Sequence, residues 1–333
     1  MDEFGFIATL LAPLAAKEKG ALGLKDDAAV LSVPSGQELV ITQDAITQGV
    51  HFIGDEEPGL IARKLLRVNL SDLAAMGARP WGYFLSLMLP ASADEAWLKA
   101  FAAGLRRDQK EFGMTLMGGD TTRIKGTLAL SVSALGLVPK GRALKRSGAR
   151  AGDGIFVSGT IGDAALGLQV ARGEGRGARK DRKSSRSLTL DLRSSLLQRY
   201  RLPEPRLALG QALRDIATSC MDVSDGLMQD LGHMCAASRV GAEIRWEDIP
   251  LSQAVRAAVK PLKKPHECVL AGGDDYELLF TAPLSLQRTL RTIAGKIETR
   301  ISLIGQMTKE RAIKVLDEKG GKIVLGKSGW RHF

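Results

Sequence analysis

Carboxylates set beside Gly, Ser and Thr recur in this chain from residue 26 to residue 277. They read Asp26-Asp27-Ala28-Ala29-Val30, Thr42-Gln43-Asp44, Asn69-Leu70-Ser71-Asp72, Gly118-Gly119-Asp120-Thr121-Thr122, Asp222-Val223-Ser224-Asp225-Gly226 and Gly272-Gly273-Asp274-Asp275-Tyr276-Glu277. Hard divalent cations such as Mg²⁺ take oxygen ligands and commonly bridge carboxylates to substrate phosphates. Separated aspartates converging on one pocket would hold several such ions. Asp222 and Asp225 stand at what reads as a strand-to-helix corner. Ser224 or Asp225 there could equally cap the following helix, but capping leaves Asp222 unexplained. Gly118 and Gly119 would let a backbone approach a phosphate closely. Read alone, that segment is a tight turn after a short strand over 114–117. Asp26-Asp27 alone is an ordinary exposed turn. Asp44 and Asp72 gain meaning only through co-occurrence.

Other phosphate devices are missing. The chain has no G-x-x-x-x-G-K-[ST] loop, and Gly159-Thr160-Ile161-Gly162 is too short for a dinucleotide fingerprint. Phosphate chemistry here would rest on metals that neutralise charge, with little nucleophilic help from side chains. His51, in Gln48-Gly49-Val50-His51-Phe52, is by default a satisfied structural histidine. Trp330, near the end of the chain, could plug a core or stack on a flat ring.

These residues need elements to position them. Residues 38–42 read as a strand running into a loop at Asp44. Residues 57–77 read as a helix, because Ala62, Leu66, Leu70 and Leu73 form one apolar stripe. Asp72 lies about 200° around that helix from Leu70, so it need not point into the core. Strands are expected at 83–89, 127–138 and 154–158. Helices are expected at 94–112, over most of 191–217 with interruptions at Pro203 and Pro205, and at 225–238. Gly159 to Gly167 reads as a turn entering a helix. This interleaving predicts an α+β or mixed α/β architecture. The expected domains are 1–139 and 154–333, joined by a Gly-, Lys- and Arg-rich linker over 140–153.

The chain has 333 residues, 44% of them hydrophobic and 25% charged, which suits a soluble two-domain protein. No apolar run reaches the roughly 20 residues of a membrane span. Asp2 and Glu3 carry the wrong charge for a secretory signal, so a cytoplasmic location is expected. Cys220, Cys235 and Cys268 read as reduced thiols. The net charge of +10 gathers in an expected basic insertion at about 171–190. A nucleic-acid patch is one reading of that insertion. With no aromatic residue among its charges, a solvated loop fits better.

Taken in order, the motifs resemble those of the thiamine-monophosphate kinase family, in the superfamily of aminoimidazole-ribonucleotide synthetase. Besides the aspartate motifs, the resemblance rests on Gly49-Val50-His51-Phe52, Val68 to Ala78 and Arg146-Ser147-Gly148-Ala149, and it spans about Phe4 to Phe333. It implies an N-terminal mixed sheet with helices, used for ATP and Mg²⁺ binding and for dimerisation, and a C-terminal α/β domain. It implies direct in-line transfer of the ATP γ-phosphoryl group to thiamine monophosphate, within thiamine diphosphate biosynthesis. By matching motifs, Asp27, Thr42, Asp44, Asp72, Asp120, Asp222 and Asp225 would bind Mg²⁺. Asp72, Asp120 and Asp225 would carry catalysis. Gly119, Asp120, Arg146 and Ser224 would meet ATP, and His51, Asp274 and Trp330 would meet thiamine monophosphate. A homodimer is also implied. Three positions depart from the family pattern: Gln43 replaces a small hydroxyl residue, Asp274 a glutamate and Arg331 an acidic residue. The competing readings are another ATP-dependent synthetase of the superfamily and a basic nucleic-acid-binding protein.

Overall fold

The apolar stripe over 57–77 is realised as helix α3 (Pro58–Ala75), which follows two short N-terminal helices, α1 (Glu3–Phe6) and α2 (Ala12–Ala15). The computed structural model describes residues 3–173, 188–326 and 329. Most of the basic insertion, Trp330 and Arg331 lie outside the described residues. The chain divides into two compact units. One holds Met1–Leu73 and Ala78–Gly141; the other holds Ala74–Gly77 and Arg142–Phe333.

In the first unit, strands β1 (Gln37–Thr47), β2 (Arg79–Leu89), β3 (Thr115–Arg123) and β4 (Ala129–Pro139) form a sheet in the order β1-β4-β2-β3. The pairs β1/β4 and β4/β2 are antiparallel and β2/β3 is parallel. A parallel neighbour needs a crossover, and helix α4 (Glu95–Phe112) supplies it. Asp94 caps α4 by accepting from Trp97 N at 2.8 Å, and Gly113 ends it in the left-handed region at φ 70°. Helix α3 is buried nearly all round. Leu65, Leu66, Leu70 and Leu73 are fully enclosed. Its buried Arg63 and Arg67 pair with Asp108 of α4, at 2.7 and 2.6 Å, and Arg67 also with Glu111 at 2.9 Å. Burying these cations is tolerable because the carboxylate is fixed opposite them. These pairs tie the middle of α3 to α4.

Two sequence expectations change here. Asp44 lies inside β1, not in a loop after it. Gly118-Gly119-Asp120 lies inside β3, not in a turn. The reason is cross-strand approach: a Cβ on Gly119 would fall 2.0 Å from Leu85 O, so glycine lets the two strands close up.

The second unit carries a six-stranded sheet in the order β10-β7-β9-β5-β8-β6, built from β5 (Asp153–Ser158), β6 (Ser219–Asp222), β7 (Gly241–Arg245), β8 (Leu278–Pro283), β9 (Ile301–Thr308) and β10 (Ile313–Leu316). Only β10/β7 is parallel among its described pairs. Helices α5 (Asp163–Ala171), α6 (Leu190–Arg201), α7 (Leu207–Ala212), α8 (Leu227–Ser238), α9 (Gln253–Val259), α10 (Pro265–Leu270) and α11 (Gln287–Lys296) pack around it. The interruption expected near Pro203 and Pro205 separates α6 from α7. The core includes Ile155, Val157, Leu196, Val223, Leu231, Leu270 and Leu279. The architecture is α+β with mixed sheets. Among the described residues, no helix is long and apolar enough to cross a membrane.

Candidate functional site

In the first unit the expected ligands fall into two groups. Strand alternation puts Thr42 and Asp44 on the face of β1 that also carries buried Val40 and Ile46. Thr42 Oγ1 donates to Asp72 Oδ2 at 2.5 Å. Asn69, one turn earlier on α3, accepts the main-chain N–H of Asp44 at 3.0 Å and donates to Leu65 O at 2.9 Å. Asp72 is partly exposed while Leu70 and Leu73 are enclosed, as the helical angle requires. Asn69 has no role in the sequence reading. Its signal there is its place three residues before Asp72 in the motif.

The second group lines a cavity of about 410 Å³ that includes Asp26, Asp27, Gly118, Gly119, Asp120 and Thr121, with Leu11, Phe84 and Met117 on its apolar side. Asp44 and Gly119 share one row of the sheet through Val132 and Leu85. Three strand spacings, roughly 14 Å, separate them. Asp120 pairs through Ser86 and Ser131 with Ala45, so it stands on the opposite face from Asp44. Within one chain Asp44 and Asp120 cannot share an ion whose ligands stand at about 2.1 Å.

His51 belongs to neither group. Its Nδ1 accepts from Thr47 N at 3.1 Å, its N–H donates to Thr47 O at 2.9 Å, and its carbonyl accepts from Lys64 Nζ at 2.8 Å. It closes the turn after β1.

In the second unit two motifs meet main chain to main chain. Asp274 N donates to Ser224 O, Tyr276 N to Val223 O, and Val223 N to Glu277 O, each at 2.8 Å. The structure therefore places Asp222, Ser224 and Asp225 beside Asp274. Asp274 and Tyr276 both adopt positive φ, 69° and 52°. Such backbone strain in residues other than glycine persists only where the surroundings hold it. Two buried acids, quoted in the motif but given no role by the sequence reading, do the holding. Asp275 accepts from Gly162 N at 2.7 Å and Ala164 N at 3.2 Å, at the start of α5. Burial pushes its carboxyl up to about 8, against the pull of those N–H groups. Glu277 accepts from Ser158 Oγ at 2.6 Å, from Arg199 at 2.6 Å and from two nitrogens of Arg206 at 2.7 Å. Burial pushes Glu277 up, but Arg206 and Arg199 outweigh it and hold the carboxyl below its ordinary range.

The Asp222–Gly226 loop rests on a third buried acid. Asp230 Oδ2 accepts from the N–H groups of Ser224, Asp225 and Gly226 at 3.1, 3.2 and 3.1 Å. Burial, and then Asp225, push Asp230 up to about 7. Asp225 Oδ2 accepts from Gln229 Nε2 at 2.9 Å. Arg146 is exposed, but its loop is fixed: Lys145 O accepts from Cys220 N at 2.8 Å, and Ser238 Oγ accepts from Ala149 N at 3.1 Å. Gly329, the neighbour of Trp330, passes so close to the loop that a Cβ on it would fall 2.8 Å from Asp225 O.

The donor chemistry fits Mg²⁺. The proposed ligands offer only carboxylate and hydroxyl oxygens, the set that hard cations prefer over nitrogen and sulfur.

Comparison with known proteins identifies the family. Residues 25–138 match the family model described as AIR synthase related protein, N-terminal domain, and residues 150–318 match its C-terminal domain. The chain is 42% identical to the thiamine-monophosphate kinase of Escherichia coli strain K12, over 94% of this chain and 92% of the relative. It is 40% identical to the crystal structure of thiamine-monophosphate kinase from Stenotrophomonas maltophilia K279a, with a TM-score of 0.81 over 91% of this chain and 94% of the other. A solved structure described as AaThiL complexed with AMPPCP and TMP is 30% identical, with a TM-score of 0.76 over 99% and 97%.

Proposed function

The chain belongs to the AIR synthase related family, in its thiamine-monophosphate kinase branch, and from that membership we propose that it is an ATP-dependent phosphotransferase that makes thiamine diphosphate and ADP. The observation that carries the chemistry is the Thr42–Asp72 contact beside Asp44, an oxygen-only cluster fixed from below by Asn69. The attacking atom is a phosphate oxygen, already anionic at neutral pH, so no general base is required. The barrier lies in bringing two polyanions together in line, without a phosphoenzyme.

Asp27, Thr42, Asp44, Asp72, Asp120, Asp222 and Asp225 are the residues that would hold Mg²⁺. When bound, the ions supply charge neutralisation and orientation of phosphate oxygens. Gly119 and Asp120 border the cavity of the first unit and, with Arg146 and Ser224, serve ATP. His51, Asp274 and Trp330 serve thiamine monophosphate. Asp72, Asp120 and Asp225 would carry catalysis, by holding the ions that neutralise phosphate charge.

A homodimer completes this reading. Among the described residues β1 pairs only with β4, and its outer face exposes Leu39 and Ile41, the latter by 62%. A long apolar edge strand invites another strand. Pairing of the β1 edge with a second copy would cover these exposed apolar residues. Its ATP substrate and three free thiols support a cytoplasmic site of action.

Incubation with MgATP and thiamine monophosphate, followed by chromatography, tests the assignment. Thiamine diphosphate and ADP are expected in equal amounts. No product at any Mg²⁺ concentration overturns it.

A further inference from the structure

A strand that ends in Asp-Val-Ser-Asp-Gly and turns into a helix has the ingredients of an anion site. Its free N–H groups and helix N-terminus favour negative charge, and in phosphate-binding loops such consecutive N–H groups form a nest around an oxygen. Here the nest is already filled from within. The N–H groups of Ser224, Asp225 and Gly226 all converge on Asp230 Oδ2, within 3.2 Å. Asp230 is 2% exposed and comes from the first turn of α8.

Ordinary helix capping does not account for this. The N-cap position is Gly226, which has no side chain to offer. Asp230 lies inside the helix and reaches back over three successive residues, two of them before the cap. Other ties of the loop include Ser224 O to Asp274 N, Val223 to Glu277 and Tyr276, and Asp225 Oδ2 to Gln229 Nε2. Asp230 also adds a second carboxylate behind Asp225. Asp225, Asp230 and His233 each offer a ligand atom within 4.8 Å of the others. Two acids at that distance repel a bare phosphate and favour a cation.

We propose that Asp230 is a positioning residue of the phosphate site: its carboxylate occupies the N–H cradle of Ser224–Gly226, so that this loop meets phosphate through metal and side chains, not through its own N–H groups. The inference rests on the phosphotransferase reading above, and names what sets the metal dependence of this loop.

The test compares wild type, Asp230→Ala and Asp230→Asn. Thermal melting checks folding, and free Mn²⁺ measured by electron paramagnetic resonance gives metal affinity without substrate. Steady-state assays give the half-saturating Mg²⁺ concentration and KM for thiamine monophosphate. Asp230→Ala should weaken Mn²⁺ by about tenfold or more, the usual cost of losing a partner that orients metal ligands. It should raise half-saturating Mg²⁺ by a similar factor while moving KM for thiamine monophosphate less than about twofold. Asp230→Asn keeps an accepting oxygen and should lose only about threefold in Mn²⁺ affinity, an intermediate value. If Asp230→Ala does not fold, Asp230→Asn decides. Wild-type Mn²⁺ affinity in the folded variants, no Mn²⁺ binding by wild type, or equal changes in Mg²⁺ and substrate dependence would overturn the proposal. Loss of Mn²⁺ affinity in the variants with no thiamine diphosphate made by wild type would sink the phosphotransferase reading and leave the role of Asp230 standing.

Discussion

Thr42 Oγ1 and Asp72 Oδ2 stand 2.5 Å apart, joining an edge strand to the last turn of the buried helix α3. Thirty residues separate them in sequence, and the packing of α3 under the sheet brings them together. Asp72→Asn keeps the shape of the side chain but removes its charge. Turnover should fall by at least about 100-fold, since transition-state charge loses an anchor of its counterion. The melting temperature should stay close to wild type, because Asp72 is partly exposed. Near-normal kcat would show that Asp72 is no central ligand.

Glu277 is the shared anion of Arg199 and Arg206 and is fully buried. Glu277→Gln leaves two largely enclosed guanidinium groups with the exposed Glu204 in place of their buried partner. Removing one member of a buried ionic network costs about 3–5 kcal/mol. Urea unfolding should show a loss of that order. A loss below about 1 kcal/mol would place this network with surface ion pairs instead.

Asp275 supplies a pH signature. In the folded chain its carboxyl is pushed up to about 8 from an ordinary 3.8, so between these values the native state holds the proton more tightly than the unfolded chain. Its contribution is present at low pH and is lost as pH rises through about 8. Asp275→Asn does not titrate. Differential scanning calorimetry should show the melting temperature of wild type, relative to that variant, falling between about pH 5 and pH 8. A constant difference would mean that Asp275 is ionised throughout.

Ile41 is largely exposed on the outer face of β1. Ile41→Glu therefore removes no intrachain core contact, and chain stability should change by less than about 0.5 kcal/mol at low concentration. A charge on an edge strand opposes pairing with another copy. Analytical ultracentrifugation should show wild type as a dimer and the variant shifted towards monomer, with reduced kcat. A monomeric wild type with full activity would end the dimer reading.

Helix α3 was legible because its spacing of Ala62, Leu66, Leu70 and Leu73 is a local pattern, and the helical angle alone kept Asp72 off the core side. The list of candidate acids was legible for another reason: Asp, Gly, Ser and Thr in short runs have few structural uses beyond turns and caps. Strand β3 was misread as a turn because its two glycines serve a partner strand some thirty residues earlier. Gly119 meets Leu85, which no local window contains.

By itself, then, the amino-acid order determined the helical and strand periods, the oxygen-only character of the site and the family to which its motifs belong. Tertiary structure alone decided which acids face outward and which are spent on holding backbone. Asp230, Asp275 and Glu277 look like their neighbours Asp225 and Asp274 in the sequence. They differ because buried carboxylates must find donors, and theirs lie on other segments: Ser158 is 119 residues from Glu277, and Gly162 is 113 from Asp275. Strand order, equally invisible along the chain, set Asp44 and Asp120 on opposite edges of one sheet.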